Sequence, residues 1–120
     1  MIYIIDDDEI MCECIARACG NKEKIRKFSN AIEAMQAVRD NDKNVTKLIF
    51  LDDLLDSPDG FTFLNELVSY TDTAKIPIAI VSSLDFSNKD LTEYGVVGVL
   101  DKTTMTPQEI KSYVDKYCTN

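Results

Sequence analysis

Four short apolar runs each end in residues that can do chemistry. Ile2-Tyr3-Ile4-Ile5 runs straight into Asp6-Asp7-Asp8-Glu9; Leu48-Ile49-Phe50-Leu51 into Asp52-Asp53; Ile78-Ala79-Ile80-Val81 into Ser82-Ser83; and Val96–Leu100 into Asp101-Lys102. Two unit charges about 4 Å apart repel by roughly 4 kcal/mol at an effective dielectric near 20. Carboxylates gathered from separate segments therefore need either free access to water or a cation among them. An oxygen-only donor set without histidine or cysteine favours a hard ion such as Mg²⁺. With that ion in place the set suits phosphate chemistry: one aspartate attacks as nucleophile, while the metal and a lysine neutralise the transferred oxygens. An EF-hand is excluded, because Leu55-Asp56-Ser57-Pro58-Asp59-Gly60 lacks the acidic first position and alternating ligands of that loop.

The rest of the chain must bring these ends together. Apolar and amphipathic segments alternate throughout: Ile2–Ile5, Ile10–Cys19, Lys24–Phe28, Ala31–Val38, Lys47–Leu51, Phe61–Tyr70, Ile76–Val81, Leu91–Tyr94, Val96–Leu100 and Ile110–Tyr117. The alternation reads as β-α repeated five times. Near-continuous apolar strands are the mark of a parallel sheet covered by helices on both faces. Right-handed crossovers make such a sheet doubly wound, and its ligands collect beyond the carboxyl ends of the strands. Helix starts are expected at Asn30 with Glu33, at Ser87 with Asp90, and at Thr106-Pro107-Gln108-Glu109, a capping box with proline at the first helical position. Asp8 and Glu9 read as acids solvating a helix N-terminus, Ser83 as structural, Asp59-Gly60 as a turn leading into a helix, and Phe28, Phe50, Phe61 and Phe63 as packing residues.

Totals narrow the function. With 120 residues and 45% apolar content the chain is expected to fold as one domain spanning residues 1–120. A net charge of −8 disfavours nucleic acid as a direct partner. The absence of histidine removes Ser-His and Cys-His nucleophiles, the usual zinc sites and any phosphohistidine carrier role. No membrane span or export signal is evident, so a cytoplasmic location is expected, with Cys12, Cys14, Cys19 and Cys118 as reduced, structural thiols. On a helix Cys12 and Cys14 point about 200° apart and could not readily clasp one ion.

In order and spacing, Ile4-Ile5-Asp6-Asp7, Leu48–Asp52, Asp59-Gly60, Val81-Ser82-Ser83 and Gly98–Lys102 resemble the CheY-like receiver domains of bacterial two-component response regulators. The resemblance covers nearly the whole chain. It implies the flavodoxin-like five-stranded parallel sheet of order 2-1-3-4-5 with five helices and a site at the β1/β3 switch point. It further implies that Asp52 accepts a phosphoryl group from a histidine kinase or phosphotransfer protein. Asp6, Asp7, Asp52 and the backbone carbonyl of Leu54 would then hold Mg²⁺, with Asp7 and Asp52 as direct ligands and Asp6 acting through water. Ser82 would donate its hydroxyl to the phosphoryl group, and Lys102 would pair with the acceptor and then with the phosphate. The fourth helix, fifth strand and fifth helix, roughly Asn88 to Tyr117, would carry the signal to an effector protein.

Several positions depart from the family pattern. Thr103 replaces the usual proline after the lysine; a cis Lys102–Thr103 bond would cost about 2.5–4 kcal/mol, which favours trans. Val99 stands where an aromatic residue is common on the fifth strand. In the loop after Asp52 the proline falls at Pro58, and Asp53 and Asp56 add negative charge. These departures motivate one alternative, a pseudo-receiver that binds partners without phosphorylation. A phosphatase or phosphotransferase of the haloacid dehalogenase type is a second, but it needs an aspartate where Leu54 stands. The leading expectation is a phosphorylation-controlled signalling module rather than an enzyme.

Overall fold

The structure, a computed structural model, describes residues 1–42, 45–52, 58–82 and 92–118, with the backbone alone at 41 and 58–61. Its strands are β1 (Ile2–Ile5), β2 (Ile25–Phe28), β3 (Leu48–Asp52), β4 (Ile78–Ser82) and β5 (Val96–Asp101), all parallel and ordered β2-β1-β3-β4-β5. The helices are α1 (Glu9–Cys19), α2 (Ala31–Ala37), α3 (Pro58–Val68) and α4 (Pro107–Tyr117). This is the doubly wound flavodoxin-like order expected from the resemblance.

Strand residues alternate between two apolar layers because successive side chains leave opposite faces of a sheet. Tyr3, Ile5, Ile49, Leu51, Ile78 and Ile80 pack with Phe28, Phe63, Leu64 and Leu67 on the α2 and α3 side. Ile2, Ile4, Leu48, Phe50, Ala79 and Val81 pack with Cys12, Ile15, Ile110 and Val114 on the α1 and α4 side. Burial on both faces explains why β1, β3 and β4 carry near-continuous apolar runs instead of a polar alternation. Cys12, Cys19 and Cys118 are buried and Cys14 is exposed, all four as free thiols.

Local signals fix where the helices start. Asp8 accepts from the backbone N–H groups of Ile10 and Met11, Asn30 from that of Glu33, and Thr106 closes a reciprocal capping box with Glu109. α3 starts earlier than the apolar pattern indicates: Pro58, pre-organised for a first helical position, begins it, so Asp59 and Gly60 lie inside its first turn. Of the helix expected ahead of β5, the described part is a 3₁₀ turn at Thr92–Tyr94; its expected start at Ser87 and Asp90 lies outside the described residues, as does the side chain of Phe61.

One feature had no sequence signal. After α2 the chain continues as a π-helical turn, Val38–Asp42, through the polar run Arg39-Asp40-Asn41-Asp42. It delivers Asp42 into the start of the sheet, where Tyr3 Oη donates to Asp42 Oδ2 at 2.5 Å and Arg26 donates to the same oxygen at 2.8 Å. The Asp42 carbonyl accepts from the backbone N–H groups of Val45 and Thr46 and from Thr46 Oγ1. Asp42 is 7% exposed and well partnered.

Candidate phosphoryl-acceptor site

The other end of the sheet is built differently. Asp6 follows β1, its N–H still bonded to Phe28 O at 2.9 Å, so the backbone leaves the strand under control. Asp52 is the last residue of β3 and pairs in register with Val81, while Ser82, the last residue of β4, pairs with Asp101. Strand pairing thus fixes the rungs from which the polar groups project. One carboxylate oxygen from each of Asp6, Asp7 and Asp52 lies within 4.8 Å of the others. Asp6 Oδ1 accepts from Asp8 N at 2.9 Å, but Asp6 Oδ2 is buried with no hydrogen-bond partner among the described residues. The Lys102 ammonium forms an ion pair with Asp52 Oδ1; the two side chains are 17% and 5% exposed.

Such crowding has an electrostatic cost. Burial pushes the Asp52 carboxyl up to about 8; the Lys102 ammonium opposes that rise and Asp6 adds to it. Asp6 is likewise raised, chiefly by burial, against the hydrogen bond from Asp8. A buried acid pair with one oxygen unpartnered among the described residues is what a divalent cation satisfies: positive charge beside Asp6 and Asp52 favours their ionised form. Cys12, whose thiol donates to Asp6 O at 3.4 Å, is not part of the donor set, since burial pushes it up to about 11.

Lys102 is held from both sides. Its N–H bonds to Ser82 O at 2.9 Å, and the N–H groups of Thr104 and Met105 close a turn onto Asp101 O at 3.1 and 2.7 Å. The peptide bonds of the described residues are all trans, Lys102–Thr103 included. In that turn Asp101 Oδ1 accepts from both Thr103 N, at 2.8 Å, and Thr103 Oγ1, at 2.7 Å.

Asp6, Asp7, Asp52 and Lys102, chosen from the sequence, therefore meet at one rim. Ser82 sits fully buried on the adjacent strand end, while Leu54, Asp53, Asp56 and Ser83 lie outside the described residues. Two contributions were not read from the sequence. The first is Thr103, whose i+2 spacing from Asp101 is that of an Asx turn. The second is Tyr113 of α4, which lies over β5 at Gly98: a Cβ there would stand 1.8 Å from its hydroxyl oxygen. Val97 and Val99 are 39% and 41% exposed on the same strand.

The sequence matches the family model of the response regulator receiver domain over residues 2–115. The chain belongs to the response regulator receiver family. Solved receiver domains share its fold. The phosphorylated cyanobacterial phytochrome response regulator RcpA is 21% identical, with 98% of this chain and 93% of that one covered and a TM-score of 0.75. The Mn²⁺-bound response regulator Rcp1 is 16% identical, with 95% and 91% covered and a TM-score of 0.73. Vibrio cholerae chemotaxis protein CheY4 is 16% identical, with 97% and 96% covered and a TM-score of 0.76. No curated protein matches the chain. Receiver domains are signalling modules of two-component systems that bind Mg²⁺ or Mn²⁺ in an acidic pocket and interact with histidine kinases or phosphotransfer proteins and with effectors. Among the described residues of this receiver domain no helix is long and apolar enough to cross a membrane.

Proposed function

We propose that this receiver domain accepts a phosphoryl group on Asp52, in a Mg²⁺-dependent reaction, from the phosphohistidine of a sensor kinase or phosphotransfer protein. Asp6, Asp7 and Asp52 would hold the ion, and the family resemblance adds the carbonyl of Leu54; when bound, the ion would neutralise the carboxylates and the phosphoryl oxygens. The observation that carries the reading is the acidic triad within 4.8 Å beside the Asp52–Lys102 ion pair, with one buried Asp6 oxygen that has no hydrogen-bond partner among the described residues.

In the transfer, an Asp52 carboxylate oxygen attacks phosphorus and forms the O–P bond of an acyl phosphate. The P–N bond of the donor breaks, and the imidazole leaves with the electron pair and takes up a proton from solvent. Lys102, already paired with Asp52, keeps its charge on the acceptor as negative charge builds, and Ser82 donates its hydroxyl to a phosphoryl oxygen. The new dianion draws Ser82 and Lys102 towards it and shifts the population of the β4 and β5 ends. β5 and α4, with Val97, Val99 and Tyr113, then present the signal to an effector protein rather than to nucleic acid. The same reading places the exchange in the cytoplasm.

Incubation with Mg²⁺ and acetyl phosphate should add one phosphoryl mass to the wild type and none to Asp52→Asn. A gain of equal size in Asp52→Asn, or none in the wild type, overturns the proposal. Effector binding indifferent to Asp52→Asn and to Mg²⁺ would favour the pseudo-receiver reading instead.

A further inference from the structure

The turn that follows β5 does more than end a strand. Lys102 lies between two residues that bond to each other: Thr103 donates both its N–H and its hydroxyl to Asp101 Oδ1, while Thr104 and Met105 donate to the Asp101 carbonyl. With Lys102 N bonded to Ser82 O, the lysine backbone is clamped on its strand side and on its turn side. The clamp faces outward, since Asp101 and Thr103 are exposed while Lys102 is largely covered. A carboxylate adjacent in sequence to Lys102 is also a competitor for its ammonium, and the two bonds from Thr103 tie that carboxylate into the turn through Oδ1. Thr103 stands where the family resemblance leads one to expect proline, a residue that stiffens backbone by its ring. Here the stiffening is supplied by side-chain hydrogen bonds.

We propose that Asp101 and Thr103 are positioning residues that act through Lys102, locking its backbone and holding the Asp101 carboxylate away so that the ammonium is delivered to Asp52. The inference rests on the reading of Asp52 as phosphoryl acceptor. Neither residue touches the reacting atoms, so the effect of each must vanish when Lys102 is removed.

The test is the initial rate of phosphorylation by acetyl phosphate at saturating Mg²⁺, in wild type, Asp101→Ala, Asp101→Asn, Thr103→Val, Thr103→Ser and Lys102→Ala, and in the double variant Asp101→Ala/Lys102→Ala, each checked for unchanged folding by thermal melting. Asp101→Ala should slow the reaction about 3- to 10-fold, the scale of one or two lost hydrogen bonds, and Thr103→Val, which keeps the N–H bond, about 2- to 3-fold. Asp101→Asn and Thr103→Ser, which keep the acceptor and the hydroxyl, should restore most of the rate. In the Lys102→Ala background Asp101→Ala should add nothing. A wild-type rate in Asp101→Ala, an Asp101→Asn as slow as Asp101→Ala, or the full Asp101→Ala loss persisting without Lys102 would each overturn the inference while leaving the acceptor role of Asp52 intact. A wild type that takes up no phosphoryl group would instead remove the acceptor role, and the inference with it.

Discussion

Two buried aspartates occupy opposite ends of the same sheet, and the protein treats them in opposite ways. Asp42, at the end where the strands begin, receives the Tyr3 hydroxyl and the Arg26 guanidinium on one carboxylate oxygen, and its carbonyl serves Val45 and Thr46. The Tyr3 hydrogen bond, against burial and with help from Arg26, holds its carboxyl below the ordinary carboxylate range. Asp6, at the end where the strands finish, is as buried as Asp42 but keeps one oxygen without a donor among the described residues. Burial raises its carboxyl and that of Asp52 above that range. Burial alone therefore does not separate a structural acid from a functional one. What separates them is whether the fold itself supplies the compensating donors and charge. Where it does, the acid holds the molecule together; where it does not, a ligand is expected to complete the site.

The largest effect should come from removing the partnered acid. Asp42→Ala strands the buried Tyr3 hydroxyl and leaves Arg26 unpaired, and should lower unfolding stability by about 2–3 kcal/mol. Urea denaturation with an unchanged slope would measure it. A loss under about 0.5 kcal/mol would break the comparison, because Asp42 would then be no better satisfied than a surface acid.

At the other end the sign should reverse. In EDTA, Asp6→Asn removes one of the crowded charges and should stabilise the protein by about 1 kcal/mol. Mg²⁺ at a hundred times its dissociation constant should stabilise the wild type by about 2.7 kcal/mol, and Asp6→Asn by much less. Thermal melts with and without Mg²⁺ separate the two contributions. Destabilisation of the metal-free protein by Asp6→Asn would mean that Asp6 is a structural acid after all.

pH offers a finer discrimination. Asp42 has a folded-state pKa below its unfolded value, so its contribution is fully present above the ordinary carboxylate pKa of about 3.9 and is lost as pH falls through the lower folded value. The stability difference between wild type and Asp42→Asn should therefore stay constant from pH 7 to about 5 and shrink on further acidification. A difference that grows in acid would assign the opposite sign and contradict the Tyr3–Asp42 hydrogen bond.

How much of this contrast the sequence could reveal follows from what each end is made of. The acidic end was legible because its residues stand at or just past the ends of apolar runs: Asp6 and Asp7 after Ile2–Ile5, Asp52 at the close of Leu48–Leu51, Lys102 two residues past Leu100. Strand order did not follow from these runs alone and needed the family resemblance. Caps were read at Asn30 and Thr106 because their donors are local, within three residues. Asp42 gave no warning, since its partners Tyr3 and Arg26 lie 39 and 16 residues away and a π-helical turn in a polar run has no periodic signature. The clamp around Lys102 is half visible in the sequence: Thr103 stands out as a departure from proline, while its bonds to Asp101 are signalled only by the i+2 spacing of an Asx turn.

The two cations give the smallest and most selective comparison. Arg26 serves Asp42 from a side chain that is 43% exposed, with its guanidinium 5.0 Å from the centre of the Phe28 ring. Arg26→Met keeps an apolar stem over Phe28 and removes a half-exposed ion pair and the cation–π contact, while Tyr3 still donates to Asp42. The expected cost is about 0.5 kcal/mol in low salt and less at high ionic strength. Lys102 serves Asp52 from a side chain that is 17% exposed, at the end where a divalent cation is expected to share the neutralisation. In saturating Mg²⁺, Lys102→Met should change stability as little as Arg26→Met does, yet slow phosphorylation of Asp52 by tenfold or more, on the order of one lost electrostatic contact in the transition state. Equal stability costs with unequal effects on phosphoryl uptake would separate the two ion pairs by role. A Lys102→Met variant that is phosphorylated at the wild-type rate would leave Lys102 as structural as Arg26, and the two ends of the sheet would no longer differ in the way their charges imply.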